Sequence, residues 1–348
     1  RNSNDDYYKR WVISCQNLQV DYVIINIFES NWLEKVVDPT IDCFLLRPPC
    51  EIEREKILYD ERVYIISKVL KRETYPSYNE VYFYENKKLL SYYLKANRIP
   101  HPDTHVFYDG DEANEFIGNA DMPLVGKTSI GASSSGVQIL FSQEQALKYV
   151  KKAFGRTGIR KRFGPNRVVG NPMKWTKKAI IDPRFFYTRL NRYIERTRDG
   201  QRGFVIFQEY IPHEFEWRAI KIGDSFFVYK KMKLKDMASG AKMAEFTTPP
   251  EEILDFIRHW GYKLKFTTMA FDIFEVEEGK YMVNELQTLF GHVQKYTLRV
   301  DNKIGRYLYL KDKWVFEEGD FGINESYNLR LKDAINQLNA EETTHISP

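Results

Sequence analysis

Asp272-Ile273-Phe274 and Asn284-Glu285-Leu286-Gln287 flank two apolar runs, Met269-Ala270-Phe271 and Tyr281-Met282-Val283, that are joined through Glu277-Glu278-Gly279-Lys280. A glycine-containing polar turn between two such runs reads as a β-hairpin. Folding the hairpin brings Asp272 and Glu285 to one point, with Gln287 as a neutral oxygen donor beside them. Hard cations that bridge nucleotide phosphates need that donor set, since magnesium takes one or two protein carboxylates and completes its shell with phosphate and water oxygens. The plainer reading is two polar positions on a sheet face, because acidic residues are depleted from strands but do occur there.

Upstream, Leu124-Val125-Gly126-Lys127 leads into Ile130-Gly131-Ala132-Ser133-Ser134-Ser135-Gly136-Val137. A strand ending in lysine and running into small residues leaves backbone amides to surround phosphate oxygens, with the lysine as a point charge. The Walker pattern is absent: Gly131 and Gly136 have the glycine spacing but are followed by Val137-Gln138, and Asp121 stands where Gly126-Lys127-Thr128 would need its first glycine. A glycine-serine turn without ligand is the bland alternative.

Between these lies Phe204-Val205-Ile206-Phe207, then Gln208-Glu209-Tyr210-Ile211-Pro212 and Glu216-Trp217-Arg218. An apolar strand entering an extended connector offers backbone groups to an adenine edge, and Pro212 is expected to end the strand.

Lysine loop, connector and carboxylate pair, in this order, resemble the ATP-grasp superfamily, specifically the branch of glutathione synthetase and the ligase that adds glutamates to a ribosomal protein. The resemblance covers roughly residues 76 to 295. It implies an α/β (α+β) fold with a pre-grasp domain (1–75), an ATP-grasp domain (76–338) whose lid spans about 104–209, and a polar tail (339–348). It also implies ATP held by Lys87, Lys127, Gly131, Ala132, Ser133, Ser134, Gln208, Glu209, Tyr210 and Ile211, with Glu216 on the ribose. Mg2+, as one ion or two and with Mn2+ as a substitute, falls to Asp272, Glu285 and Gln287, the last standing where an asparagine is usual. Arg218 resembles the family's phosphate- or substrate-facing arginine. Substituting Lys127 or Asp272 is expected to remove ligand contacts and leave the fold intact.

One departure bears on chemistry: Lys235-Asp236-Met237-Ala238-Ser239-Gly240 has Met237 where relatives carry an arginine. Lys230, Lys231, Lys233 and Lys242 are the nearby cations that could replace it, and Lys231 is taken with Arg218 as catalytic. The activity implied is an ATP-dependent carboxylate-amine ligase that passes through an acyl phosphate, with at least one anionic cosubstrate such as a glycan or metabolite precursor. A phosphotransferase acting on a hydroxyl and a nucleotide-binding regulator without turnover share the same ATP residues.

The 348 residues, 43% hydrophobic and 29% charged, are those of a globular protein of about two domains. Cys15, Cys43 and Cys50 form no C-x-x-C pair, so a reduced cytoplasmic setting is the default. The histidines lack metal spacing, and Pro100 and Pro102 prevent a helix through His101 and His105. His213 and His292 fall beside the proposed site. No apolar run approaches the roughly 18 residues of a membrane span. Between Lys151 and Gly203, sixteen Lys or Arg stand against Asp182, Glu195 and Asp199, a local +13 in a chain whose net charge is +4. An anionic substrate suits that segment. Nucleic acid is disfavoured, because its aromatics match no RNA-binding signature.

Locally, Val20 to Phe28 and Ile41 to Leu46 read as buried strands, and Glu53 to Lys71 as a helix facing inward through Ile57, Val63, Ile66, Val69 and Leu70. Ser142-Gln143-Glu144-Gln145 reads as a capping box. Glu251 to Gly261 and Asn328 to Leu338 read as helices, with a tail from Ala340.

Overall fold

The computed structural model describes residues 8–50, 52–131, 136–160, 187, 194, 199–234, 237–238, 244–290 and 298–345, with the side chains of 234, 237–238 and 341–345 excepted. The chain opens with α1 (Lys9–Leu18), α2 (Trp32–Val36), β1 (Cys43–Leu45), α3 (Glu53–Tyr64) and β2 (Glu73–Tyr75), and α3 continues as a π-helical turn over Ile65–Val69. β1 and β2 form a parallel pair. The strand expected over Val20 to Phe28 is not one. Val20 N bonds back to Cys15 O at the end of α1, no ladder takes up the rest, and Val23 and Ile24 are 69% and 54% exposed. Apolar on both faces, that run needs cover on both faces to act as a strand, and the two-stranded sheet supplies none. The inward stripe of the helix also holds only in part, since Val63 and Ile66 are buried whereas Ile57 and Val69 face out.

A complete capping box opens α4 (Tyr78–Phe83), with the Ser77 hydroxyl accepting from Glu80 N and Glu80 accepting from Ser77 N. Glu80 is buried and goes further, accepting from the backbone N–H groups of Thr267 and Thr268, each at 2.8 Å. Next, α5 (Lys87–Ala96) is capped by Asn86, whose side chain accepts from Leu89 N.

A four-stranded antiparallel sheet follows, built from β3 (Thr104–Phe107), β4 (Leu124–Lys127), β5 (Val137–Leu140) and β6 (Val205–Glu209) in the order β3-β6-β4-β5. Helices α6 (Gly110–Asn119) and α7 (Gln143–Ala153) cover it, and Ile117, Leu140, Tyr149 and Phe207 share its core. Gly126 is required here by packing, because a Cβ would lie 2.8 Å from Tyr149 Cζ. Ser142 caps α7 at Gln145 N, but Gln145 returns its carboxamide to Phe141 N rather than to Ser142, so only half of the expected capping box forms. β6 ends at Glu209, before Pro212 is reached.

The second sheet contains β7 (Phe215–Ile222), β8 (Ser225–Leu234), β9 (Met237–Ala238), β10 (Ala244–Glu245), β11 (Thr268–Glu277), β12 (Lys280–Gln287), β13 (Arg299–Val300), β14 (Lys303–Leu310) and β15 (Lys313–Glu318). Its main path is β12-β11-β7-β8-β14-β13. Amphipathic α8 (Glu251–Lys263) buries Ile253, Leu254 and Ile257 in one core with Phe227, Met269 and Phe271. The last helix, α9 (Tyr327–His345), runs into the expected tail and packs on α1, where Ser14 donates to Asn328 at 2.8 Å. Among the described residues no helix is long and apolar enough to cross a membrane.

Candidate functional site

The expected hairpin is present as β11 and β12, and Gly279, at φ +72°, takes its left-handed turn position. Asp272 pairs with Glu285 on one side and with Arg218 on the other, and Arg218 pairs with Tyr229. A single row therefore crosses four strands. Because side chains alternate along a strand, Glu216, Lys231 and Gln287, each two residues from a member of this row, share its face.

β12 breaks that alternation at one point. Asp272 is opposite Glu285 while Ile273 is opposite Val283, so Asn284 has no cross-strand partner and forms a β-bulge. As a result two consecutive side chains reach the site. Asn284 accepts from Lys127 Nζ at 2.8 Å and donates to Glu216 Oε1 at 2.9 Å, while Glu285 lies 3.1 Å from Lys87 Nζ. Lys127 comes from β4 and Lys87 from the first turn of α5, so the cluster lies where the two sheets and α5 meet.

Every candidate metal ligand is engaged by a cation of the chain. Asp272, 2% exposed, has Lys231 Nζ at 2.8 Å and Arg218 Nη1 at 3.1 Å. Gln287 Oε1 accepts from Arg218 at 3.2 Å. Glu216 has both carboxylate oxygens engaged, by Lys231 at 2.8 Å and by Asn284 at 2.9 Å. Glu85, in left-handed backbone at φ +52°, accepts from Gly131 N at 2.7 Å and lies 3.9 Å from Lys87. Glu85, Glu216, Asp272 and Glu285 thus face an equal number of cations, Lys87, Lys127, Arg218 and Lys231.

This balance sets the protonation states. Burial opposes ionisation of Glu285, but Lys87 and Lys127 outweigh it and draw the pKa down to about 2. Burial pulls Lys127 down to about 8, against the pull of Glu285 and with the push of neighbouring Lys87. Burial also disfavours the charge on Lys231, which Asp272 and Glu216 more than restore.

A cation fits here on one specific ground. Asp272 Oδ1 is buried without a hydrogen bond, its neighbour Arg218 lying close but misaligned. An orphaned carboxylate oxygen beside a second carboxylate is the donor a hard divalent ion takes. The donor set is two carboxylates and an amide; among the described residues no group of three His, Cys, Asp or Glu stands at metal-binding geometry.

The connector residues lie at the end of β6. Gln208 is buried and donates to Thr104 Oγ1, Glu209 is exposed and pairs with Asp103 through its backbone, and Tyr210 and Ile211 stand beyond the ladder. The Tyr210 hydroxyl lies 3.3 Å from Lys233 Nζ, and Ile211 O is 2.7 Å from His213 Nδ1. Of the candidate replacement cations, Lys231 enters the cluster, while Lys230 lies over the rings of Phe215 and Trp217. Ala132, Ser133, Ser134, Lys242, His292 and most of the basic stretch lie outside the described residues, as does the Met237 side chain. Sequence reading missed Asn284 and Glu85. Two adjacent polar residues in an alternating strand were the available signal for the first.

No family model matches the sequence, and no curated protein matches it. Among solved structures, D-alanine–D-alanine ligase from Bacillus anthracis is similar over 97% of this chain and 96% of that one, at 14% identity and TM-score 0.55. A RimK domain ATP-grasp protein from Sphaerobacter thermophilus matches over 84% of this chain and 90% of that one, at 12% identity and TM-score 0.51. N5-carboxyaminoimidazole ribonucleotide synthetase from Thermotoga maritima matches over 95% and 74%, at 11% identity and TM-score 0.51. At these identities the likeness is one of fold: the chain has the ATP-grasp fold. Spread over such different proteins, it does not single out the glutathione synthetase branch.

Proposed function

We propose that the protein is an ATP-dependent ligase that joins a carboxylate to an amine through an acyl phosphate. The observation that carries this reading is the Arg218-Asp272-Glu285 row facing Lys127 and Lys87 across the meeting of the two sheets. On ATP binding, Lys127 and Lys87 exchange Asn284 and Glu285 for phosphate oxygens, and Tyr210 and Ile211 border the adenine. Asp272, Glu285 and Gln287 are the residues that would hold Mg2+, or Mn2+ in its place, which when bound shields the phosphate charge. A substrate carboxylate oxygen attacks the γ-phosphorus, the bond to the β-γ bridging oxygen breaks, and ADP leaves. The amine then attacks the acyl carbon and inorganic phosphate departs. Arg218 stabilises charge developing on the transferred group. Lys231, enclosed between Glu216 and Asp272, positions the carboxylates rather than touching substrate. The basic stretch between Lys151 and Gly203 favours an anionic cosubstrate.

The test is phosphate release from ATP and Mg2+ with a panel of carboxylates and amines offered singly and in pairs. Release that requires both members of a pair is expected. A phosphorylated hydroxyl product formed from a single cosubstrate would overturn the ligase reading.

A further inference from the structure

Lys127 ends β4 of the four-stranded sheet and Lys87 opens α5, so the two lysines proposed to meet phosphate stand on different elements. Their spacing depends on what joins α5 to the chain just past β4. Contacts on three consecutive residues, Glu85 to Lys87, make that junction. Glu85 accepts from Gly131 N at 2.7 Å, Lys87 N donates to Ser129 O at 3.0 Å, Ser129 Oγ lies 3.4 Å from Asn86 Oδ1, and Lys87 Nζ lies 3.4 Å from Gly131 O. Gly131 is therefore gripped on both backbone groups, its N–H by Glu85 and its carbonyl by Lys87.

The contact made by Glu85 is the shortest of these, and the backbone beneath it is strained. Glu85 sits at φ +52°, a left-handed conformation that non-glycine residues seldom adopt, in the turn where Asn86 N returns to Phe83 O. Strain of this kind persists only where the surroundings over-determine it, and it gathers at functional sites. The Glu85 side chain is 2% exposed, so its hydrogen bond to Gly131 is shielded from water. Its carboxylate also lies 3.9 Å from Lys87 Nζ. Burial opposes the charge on Lys87, and Glu285 and then Glu85 restore it.

We infer that Glu85 is a positioning residue of the nucleotide site: through Gly131 it fixes Lys87 and Lys127 at one separation before ATP arrives, and its charge tempers the pull of Lys87 on phosphate. This rests on the ligase reading above. Ordering groups in advance removes an entropy cost from binding, and a buried carboxylate so close to the lysine opposes an incoming phosphate. Glu85 acts through Gly131 and Lys87 and touches no part of the nucleotide.

Two variants separate the two effects, because Glu85→Gln and Glu85→Ala both lack the charge and only the first keeps an acceptor for Gly131 N. In the nucleotide-free full chain carrying isotope-labelled glycine, exchange of the Gly131 amide should be slow in the parent and in Glu85→Gln, and roughly tenfold faster in Glu85→Ala. Calorimetric titration with ATP and Mg2+ should show Glu85→Gln binding about threefold more tightly than the parent, and Glu85→Ala roughly tenfold more weakly than Glu85→Gln. Glu85→Asp, one methylene shorter, keeps the charge without the reach and should match Glu85→Ala in exchange, which decides the matter if the alanine variant does not fold. Protection of Gly131 that survives in Glu85→Ala or Glu85→Asp would overturn the inference. Equal ATP affinity in Glu85→Gln and Glu85→Ala, with a parent that binds ATP, would overturn this inference alone, whereas a parent that takes up no ATP overturns the ligase reading along with it.

Discussion

Asp272 and Glu285 are direct partners across β11 and β12, yet they are neutralised from opposite directions. Lys231 and Arg218 hold Asp272 from within its own sheet, and Lys87 reaches Glu285 from α5. The carboxylates proposed to hold the metal and the lysines proposed to hold phosphate therefore serve as each other's counterions, and on that proposal nucleotide binding is an exchange of partners.

Asp272→Asn is expected to cost about 3–5 kcal/mol, the range for breaking a buried ion pair, because Lys231 and Arg218 lose their shared anion. This corrects the view that the substitution spares the fold. Urea unfolding checks it, and adding Lys231→Met should recover much of the loss while magnesium-nucleotide affinity stays poor. A single variant as stable as the parent would show that the pairing carries no weight.

Nucleotide affinity should fall as pH rises through about 8. Lys127 is held near that value by burial, so it is charged below it and neutral above, and only the charged form attracts phosphate. Fluorescence titration with ATP and Mg2+ from pH 7 to 9.5 gives the profile. Lys127→Arg should flatten it, since guanidinium stays charged; the same slope in that variant means another group is responsible.

Glu285 should make the protein acid-sensitive. Its carboxyl titrates at about 2 in the fold against an unfolded value of 4.5, so its contribution is complete above about 4.5 and disappears as pH falls toward 2. For a side chain that is 22% exposed, the discounted size is on the order of 2 kcal/mol. Glu285→Gln should lower stability at pH 6 by that amount and by much less at pH 2.5; a loss independent of pH would refute the link to Lys87.

Glu80→Ala should destabilise by about 3 kcal/mol or more, because it strands the N–H groups of Thr267 and Thr268 next to β11. Thermal unfolding measures it, and a shift of a degree or less would count against the role given to this carboxylate.

Much of the site was legible because it rests on local pattern. Two apolar runs around Gly279 fix a hairpin, and the hairpin alone puts Asp272 opposite Glu285. The pairing of Glu216 with Lys231 was not legible, since which cation a carboxylate meets depends on which strand lies beside it, and β8 is placed by the whole sheet. The run from Val20 to Phe28 misled for the same reason: β-propensity records fitness for a covered, pleated surface, and cover is a tertiary property. Glu85 was hidden because its reach to Gly131 depends on how α5 meets the four-stranded sheet.

The bulge at Asn284 gives β12 one residue more than its pairing with β11 requires. If Asn284 is removed, Ile273 still meets Val283 and Asp272 still meets Glu285, so no partner in the ladder is displaced. What disappears is the tether between Lys127 and Glu216. At this position a one-residue deletion, ordinarily among the harshest changes a strand can suffer, becomes a way to separate folding from ligand handling within a single molecule.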